Sequence, residues 1–216
     1  MTKIAVVLSG CGFMDGSEIY ETVSTLLSLS QEGVEYQCFA PDMVQHKVVN
    51  YLTGEDVAEQ RNVLVESARL ARGDIKDIKQ ANADEFDGLI FPGGFGAALN
   101  LSDFAVNGAD CEINPDVEQF AKAMHGAGKP VGYICIAPAM APRLCGEGVQ
   151  CTIGNDADTA AAIEAMGGKH QNCDTRAIVV DETNKVVSTP AYMLGQSIAE
   201  VYEGINKLVK QVVKMC

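Results

Sequence analysis

The sequence predicts an α/β fold, an open sandwich with a mostly parallel central sheet and a C-terminal β-hairpin. Short, continuously apolar runs alternate with amphipathic segments of helical period, and such runs are typical of strands buried on both faces of a parallel sheet. Near the end of the chain, two strand-like runs flank a short turn. A chain of 216 residues without linkers or repeats predicts a single domain over residues 1–216.

The predicted strands follow directly from the apolar runs. They occupy residues 4–8, 36–39, 88–91 and 131–134. The hairpin pairs residues 177–180 with residues 185–188 across the turn at 181–184. Residues 42–60 lack a core pattern, so they predict an insertion followed by a helix.

Three helices are predicted from stripes of apolar side chains at helical spacing. Ser17 is the expected N-cap of the first, a second begins at Pro115 and ends at Gly126, and a third lies near the C-terminus. The apolar stripes are predicted to face the core; a partner-binding face is the alternative for the last helix. The stripes are Ile19, Val23, Leu26 and Leu27; Val117, Phe120, Ala121 and Met124; and Ile198, Val201, Ile205, Leu208 and Val212.

Composition limits the partners that the chain can have. The net charge of -13 argues against nucleic acid and anionic membranes, since both are negatively charged. No run approaches the ~20 apolar residues of a membrane span, and the first apolar run is too short for a secretion signal. We therefore expect a cytoplasmic protein whose eight cysteines are reduced thiols. The sequence contains no paired Cys/His spacing of the kind that predicts a metal site.

One cysteine lies where a nucleophile could be. Cys135 directly follows the predicted strand at 131–134, and Pro138 lies where a helix could start. Such a strand-to-helix turn projects a side chain out of the sheet, beside N–H groups that favour a thiolate and lower the thiol pKa. From this segment alone, a buried structural cysteine is the favoured interpretation.

Two further loops follow predicted strands and should lie at the same carboxyl edge of the sheet. The loop of residues 9–18 contains Gly12 and ends at Glu18, in the first turn of a helix. Its glycines approach, but do not match, the dinucleotide fingerprint, so nucleotide binding is a weak alternative. A buried Glu18 carboxyl beside Cys135 would keep its proton and could shuttle it, although an acid also simply stabilises a helix N-terminus.

The loop after the strand at 88–91 contains Gly93 and Gly94. Paired glycines allow the backbone to approach a site closely and to present N–H groups to an oxyanion. A plain turn is the alternative interpretation of this pair.

Together these loops resemble the ThiJ/PfpI superfamily, and most closely its ElbB-type glyoxalase group (enhancing lycopene biosynthesis proteins). The resemblance covers nearly the whole chain. It is carried by the three loops and by the segments at residues 8–12, 95–98, 135–140 and 189–194.

The resemblance implies a flavodoxin-like three-layer sandwich, related to class I glutamine amidotransferases, and a homodimer. It implies a Cys135 nucleophile assisted by Glu18, and we expect Gly93, Gly94, Ile136 and Gly12 to bind the substrate or its oxyanion. The implied activity is a cofactor- and glutathione-independent glyoxalase of the lyase class. It would convert glyoxal, a small aldehyde, to glycolate, and could reflect protein or metabolite deglycation. No metal or organic cofactor is expected.

The chain departs from the peptidase and amidotransferase branches of this superfamily. Ile136 follows Cys135 where those branches can have a histidine, and none of His46, His125 and His170 lies in a triad motif. Proteolysis and glutamine hydrolysis are therefore not expected. Two alternatives stay open: a redox-sensing or regulatory protein with a low-pKa cysteine, linked to isoprenoid metabolism, and an amidotransferase-like or nucleotide-binding partner subunit.

Overall fold

The structure is a computed structural model that describes all 216 residues. Its strands are β1 (Lys3–Val7), β2 (Glu35–Ala40), β3 (Val49–Asn50), β4 (Glu55–Asp56), β5 (Ile75–Asp77), β6 (Gly88–Phe91), β7 (Val131–Ile134), β8 (Gln150–Cys151), β9 (Lys169–His170), β10 (Val179–Asp181) and β11 (Val186–Thr189). Its α-helices are α1 (Ile19–Gln31), α2 (Val63–Leu70), α3 (Phe95–Leu99), α4 (Phe104–Asn107), α5 (Pro115–Gly126), α6 (Ala141–Cys145), α7 (Ala157–Ala165) and α8 (Ile198–Met215).

Seven strands form the central sheet, in the order β10-β11-β7-β6-β1-β2-β5. All neighbours pair in parallel except β10 and β11, which form the predicted antiparallel hairpin. The prediction of a mostly parallel sheet with a C-terminal hairpin is therefore confirmed. The edge strand β5 was missed because residues 75–77 carry two charged side chains and only one apolar one.

The sheet has an apolar core on each face, because successive side chains of a strand point to opposite sides. Along β1, Ala5 and Val7 belong to the core beneath α5, α6 and α7. Ile4 and Val6 belong to the core beneath α8. Helices on both faces of one sheet make the three-layer arrangement that the resemblance implies. No helix is long and apolar enough to cross a bilayer.

Helix α5 agrees with its prediction: it begins at Pro115 and ends at Gly126, and its apolar stripe is buried. Helix α8 also buries its stripe, apart from Ile198, which is exposed at the first position. A capping box fixes its start. The backbone N–H of Glu200 donates to the Ser197 hydroxyl, and the backbone N–H of Ser197 donates to the Glu200 carboxylate.

Helix α1 differs from its prediction in two respects. Its N-cap is Glu18 rather than Ser17, because the Ser17 hydroxyl instead accepts from the backbone N–H of Ser9 at 2.8 Å. Its predicted core face is also wrong: Val23 and Leu27 are about half exposed. The buried face carries mostly polar side chains: Glu21, Thr22, Ser24, Thr25, Ser28 and Leu29.

The predicted insertion contains a small antiparallel ribbon, β3–β4, and α2 follows it. The ribbon packs on the loop after β1. The Asp15 carboxylate accepts from the Val49 backbone N–H at 2.9 Å and from the Tyr51 hydroxyl at 2.8 Å. These contacts hold residues 9–18 in a fixed loop at the carboxyl edge of the sheet.

Candidate active site

Cys135 lies on a strained turn at the end of β7. Its φ of 64° is in the left-handed region, which residues with a Cβ adopt at a cost. The Cys135 N–H donates to the Thr189 carbonyl at 3.0 Å, so the turn is tied to β11. Cys135 is buried, with 7% of the residue exposed. This geometry confirms the predicted strand-to-helix elbow, with a short 3₁₀ turn at Ala137–Met140 after it.

The carboxyl that contacts Cys135 belongs to Glu21, which the sequence prediction missed. Glu21 lies in the first turn of α1, fully buried beside the Cys135 thiol, and each of the two groups shifts the pKa of the other. Its Oε2 accepts from the Gly93 N–H at 3.0 Å and its Oε1 accepts from the Tyr192 N–H at 3.1 Å. The side chain is thus fixed at three points between α1, the loop after β6 and the segment after β11.

Burial and, to a lesser extent, the nearby Glu18 carboxyl raise the pKa of Glu21 to about 8 against the opposing effect of its hydrogen bonds. No cation is among the groups that influence it. Glu21 therefore keeps its proton at neutral pH and can donate a hydrogen bond to sulfur.

The Cys135 thiol does not have the low pKa that the helix-start argument predicted. Burial raises its pKa well above the ordinary value, and Glu21 raises it further. The backbone N–H groups of Gly94 and Ile136 donate to the sulfur and favour the thiolate, but burial outweighs them. The segment after Cys135 is a short 3₁₀ turn followed by the five-residue helix α6, so its dipole is small compared with that of a long helix. At neutral pH, the resting pair therefore holds both protons.

Glu18 occupies a different place from the one predicted. Its carboxylate caps α1 by accepting from the Glu21 N–H at 2.6 Å, so the predicted contact with the Cys135 sulfur is corrected to Glu21. Glu18 nevertheless lines the same cavity as Cys135, and burial raises its pKa. The two carboxyls thus flank the site, one at the sulfur and one on the cavity wall.

The predicted oxyanion donors divide into two groups. The N–H groups of Gly94 and Ile136 lie at the sulfur and lower the Cys135 pKa, and their binding of a substrate oxyanion stays a prediction. The Gly93 N–H is already bonded to Glu21, and the Gly12 N–H donates to the Ser17 carbonyl at 2.7 Å. Gly12 lies under Tyr51 and does not line the cavity, so Gly93 and Gly12 are corrected to structural positions.

Gly93 is required by close packing rather than by backbone conformation. A Cβ at this position would overlap the Cys135 Cβ and would lie 2.5 Å from the Glu21 carboxylate and 2.8 Å from the Ile134 carbonyl. Only glycine therefore allows the loop after β6 to pass between the thiol and the carboxyl and bind the latter.

Cys135 lies at the base of a cavity of about 660 Å³ at the carboxyl edge of the sheet. Its walls are mainly apolar and aromatic: Phe13, Tyr20, Phe95, Ala98, Phe104, Ala105, Ile136, Tyr192 and Met193. Glu18, Gly94, Asp156 and Thr159 complete the lining. None of the three histidines contributes to it.

The histidines have contacts elsewhere. His125 Nε2 is 3.1 Å from the Asn184 carbonyl, and His170 Nε2 accepts from the Ile153 N–H at 3.2 Å. His46 donates its backbone N–H to Asn100. No group of three or more His, Cys, Asp or Glu side chains is arranged to hold a metal ion.

Comparison with known proteins places the chain in a family. It is 45% identical over 223 aligned residues to the mitochondrial ES1 protein homolog of Rattus norvegicus, covering 99% of this chain and 84% of that one. It is also 45% identical to the human mitochondrial glutamine amidotransferase-like class 1 domain-containing protein 3, covering 99% and 83%. The chain belongs to the ES1 family of glutamine amidotransferase-like class 1 proteins. No family model matches it.

Solved structures agree with this family. An isoprenoid biosynthesis protein with an amidotransferase-like domain from Ehrlichia chaffeensis is 40% identical, with a TM-score of 0.94 over 100% of this chain and 99% of that one. The fold is shared more widely, by a ThiJ/PfpI domain protein of Brachyspira murdochii (16% identity, TM-score 0.59, coverage 98% and 96%) and by glyoxalase III of Candida albicans (15%, 0.63, 99% and 97%). The predicted relationship to class I glutamine amidotransferase-like proteins and the predicted flavodoxin-like fold are therefore confirmed, and ThiJ/PfpI proteins share this fold. The cytoplasmic location is not, since the names of the two mammalian ES1-family relatives call them mitochondrial.

Proposed function

We propose that this protein is a glutathione-independent glyoxalase that converts an α-oxoaldehyde such as glyoxal to the α-hydroxy acid, here glycolate. The observation that carries the proposal is the Cys135 thiol, paired with the protonated Glu21 carboxyl at the base of a cavity. The N–H groups of Gly94 and Ile136 converge on the same sulfur. A nucleophile, a proton carrier and two oxyanion donors are the groups that addition to an aldehyde requires.

The first step forms the bond between sulfur and the aldehyde carbon. The carbonyl electron pair moves to oxygen, which takes the Glu21 proton while Glu21 accepts the proton of the thiol. The product is a neutral hemithioacetal, and Glu21 is again protonated. The N–H groups of Gly94 and Ile136 stabilise the negative charge that develops during the transfer. Because both members of the pair start neutral, no isolated buried charge forms in the resting enzyme.

The second step moves hydrogen between the two carbons. Glu18, on the cavity wall, removes the proton from the hemithioacetal carbon while the neighbouring carbonyl oxygen takes a proton from Glu21, which gives an enediol. Glu18 then returns its proton to the neighbouring carbon, and the first hydroxyl gives its proton to Glu21 as the thioester carbonyl forms. One carbon is oxidised to a thioester and the other is reduced to an alcohol, so no external oxidant is needed. Burial raises the Glu18 pKa, which makes its carboxylate a better base than an exposed one.

Hydrolysis completes the cycle. Water adds to the thioester carbonyl, the carbon–sulfur bond breaks, and the α-hydroxy acid leaves as the thiol regains its proton. The sum is one α-oxoaldehyde plus one water giving one α-hydroxy acid. A carbinolamine adduct of glyoxal with a protein or metabolite amine would enter the same cycle once its carbon–nitrogen bond breaks, with the carbinol hydroxyl proton passing to the leaving amine; this action belongs to the same proposal.

A redox-sensing role is less well supported by this geometry. Peroxide reacts with exposed thiolates. Cys135 is nearly buried, and burial raises its pKa instead of lowering it. The homodimer and the cytoplasmic location stay predictions.

Three variants test the assignment of roles. Cys135→Ser should abolish turnover of glyoxal, whereas Cys173→Ser, which changes a half-buried cysteine outside the cavity, should not change it. Glu21→Gln should slow formation of the cysteine adduct by about 10²–10⁴-fold. Glu18→Gln should form the adduct, detected as one glyoxal mass on the intact protein, yet release glycolate slowly.

Wild-type turnover by Cys135→Ser would overturn the proposal. An adduct that accumulates in Glu21→Gln but not in Glu18→Gln would reverse the roles of the two carboxyls. Both readouts use the full chain, and circular dichroism confirms that each variant is folded.

A further inference from the structure

The cavity above Cys135 is much larger than glyoxal requires. At about 660 Å³, it lies within the range of about 300–1,000 Å³ typical of pockets for drug-sized ligands. A two-carbon dialdehyde bound at the Cys135 sulfur would contact only the groups at the base and leave most of the walls untouched. The shape of the site therefore fits a molecule with a body attached to its reactive end.

The walls indicate what that body is made of. Phe13, Tyr20 and Phe95 line the cavity while remaining about half exposed to solvent, so a bound apolar group would remove their free surface from water. Phe104 adds a ring that is already buried. The Phe95 N–H donates to the Phe13 carbonyl at 2.8 Å, which fixes these two residues relative to each other. Several aromatic side chains on one cavity favour aromatic or branched apolar ligands.

The charges of the lining indicate what the body lacks. No Lys, Arg or His lines the cavity, whereas two carboxyl side chains, those of Glu18 and Asp156, do. Asp156 caps α7 by accepting from the Thr159 N–H at 2.9 Å. Its hydrogen bonds to Thr159 lower its pKa, so it is ionised at neutral pH. A carboxylate or phosphate on the ligand would meet repulsion here and no compensating cation, on a chain whose net charge is -13.

We propose that this cavity selects α-oxoaldehydes with an aromatic or branched apolar body and no negative charge, with Phe95 and Asp156 as specificity-determining residues. This proposal rests on the proposed function. The aldehyde faces Cys135, the body lies against the aromatic wall, and Asp156 disfavours anions at the side of α7. The products are the corresponding α-hydroxy acids, formed by the same internal transfer of hydrogen.

Phenylglyoxal and glyoxal are the probes for the apolar part. The wild-type protein should have a kcat/KM for phenylglyoxal at least about tenfold above that for glyoxal, mainly through a lower KM, because the ring buries apolar surface. Phe95→Ala should lower the phenylglyoxal-to-glyoxal ratio by about threefold to tenfold. Leu52→Ala is the matched control, since Leu52 is 97% exposed outside the cavity, and it should leave the ratio unchanged.

Phenylglyoxal with a para-carboxylate group is the probe for the charge. It should have a kcat/KM at least about tenfold below that of phenylglyoxal at low salt, and the difference should shrink as salt screens the repulsion. Asp156→Asn should reduce this discrimination while retaining the helix cap, because asparagine caps as well as aspartate.

The outcomes separate this proposal from the proposed function. The specificity proposal is overturned if glyoxal is turned over but the phenylglyoxal-to-glyoxal ratio of kcat/KM is at or below one. It is also overturned if the carboxylate probe is turned over as well as phenylglyoxal. Either result leaves the proposed glyoxalase activity intact. If Phe95→Ala leaves the phenylglyoxal-to-glyoxal ratio of kcat/KM unchanged, Phe95 is not a specificity-determining residue. Absence of turnover with every aldehyde overturns both proposals.

Discussion

Replacing the buried Glu21 carboxyl should remove a large part of the pH dependence of stability. In the folded protein the pKa of Glu21 is about 8, compared with 4.5 for an ordinary glutamate. The folded state thus holds a proton that the unfolded chain releases. This group's contribution to stability is fully present below pH 4.5 and is lost as pH rises through 8.

The magnitude follows from the difference of about 3.5 between these two pKa values. At ~1.36 kcal/mol for each pKa unit, complete ionisation of Glu21 costs the folded state roughly 5 kcal/mol. Most of this loss, roughly 3–4 kcal/mol, falls between pH 5 and pH 8. This loss is a large share of the free energy of unfolding of a typical domain, which is about 5–15 kcal/mol.

The variant Glu21→Gln has nearly the same shape but does not titrate. At pH 5 it should be less stable than the wild type by about 1–3 kcal/mol, because an amide nitrogen replaces an oxygen that accepts a hydrogen bond from Gly93 or Tyr192. As pH rises to 8, the difference should shrink and then reverse, because only the wild type loses the Glu21 contribution.

Urea unfolding at pH 5, 6.5 and 8 measures the difference. Glu55→Gln changes a carboxylate on an exposed strand by the same chemistry and serves as the matched control. Its difference from the wild type should not vary by more than about 0.5 kcal/mol over this range. If the Glu21→Gln difference were equally constant with pH, Glu21 would titrate normally, and the neutral resting pair would be refuted.

Three shorter predictions test other parts of the site. Gly93→Ala should abolish turnover and destabilise the fold by more than about 2 kcal/mol, because the new methyl group overlaps Cys135 and Glu21; Gly126→Ala, which has no neighbour within 4 Å, should be close to neutral by thermal unfolding. Cys135 should react slowly with iodoacetamide at pH 7 and faster as pH rises, because burial raises its pKa; rapid alkylation at pH 7 would contradict this. The predicted homodimer should dissociate in Val23→Asp if the exposed apolar face of α1 lies in the interface, and light scattering showing an unchanged mass would place the interface elsewhere.

The sequence was most informative where local pattern and tertiary position agree. Apolar runs locate β1, β6 and β7 to within a residue, since both faces of these strands are buried. Cys135 was found for the same reason: it directly follows such a run, and the carboxyl ends of parallel strands meet at one edge. The hairpin turn was equally local, set by polar residues between two apolar runs.

The sequence was misleading for α1, and this error hid Glu21. The usual rule places the apolar stripe of a helix on the core. In α1 the apolar stripe is about half exposed and the polar stripe is buried, where Glu21 binds the loop after β6 and Ser28 binds Asn206 of α8. Nothing in the spacing distinguishes Glu18 from Glu21 as the partner of the thiol. The signal that could have done so is the period of Glu21, Ser24, Thr25 and Ser28, an unusually regular polar stripe on a helix beside a predicted site.

The neutral state of the resting pair explains how a buried thiol can be a nucleophile. A free thiolate at this depth would be costly, and burial raises the Cys135 pKa accordingly. In the proposed mechanism, Glu21 avoids that state by exchanging protons while the carbon–sulfur bond forms, so negative charge appears only on the substrate oxygen. The fixed N–H groups of Gly94 and Ile136 are already in place when it appears, so these preorganised donors stabilise it without reorganisation. Reactivity at Cys135 then depends on a bound aldehyde and not on pKa alone, which is why the thiol can be inert to alkylation at pH 7 and still attack a carbonyl held in the cavity.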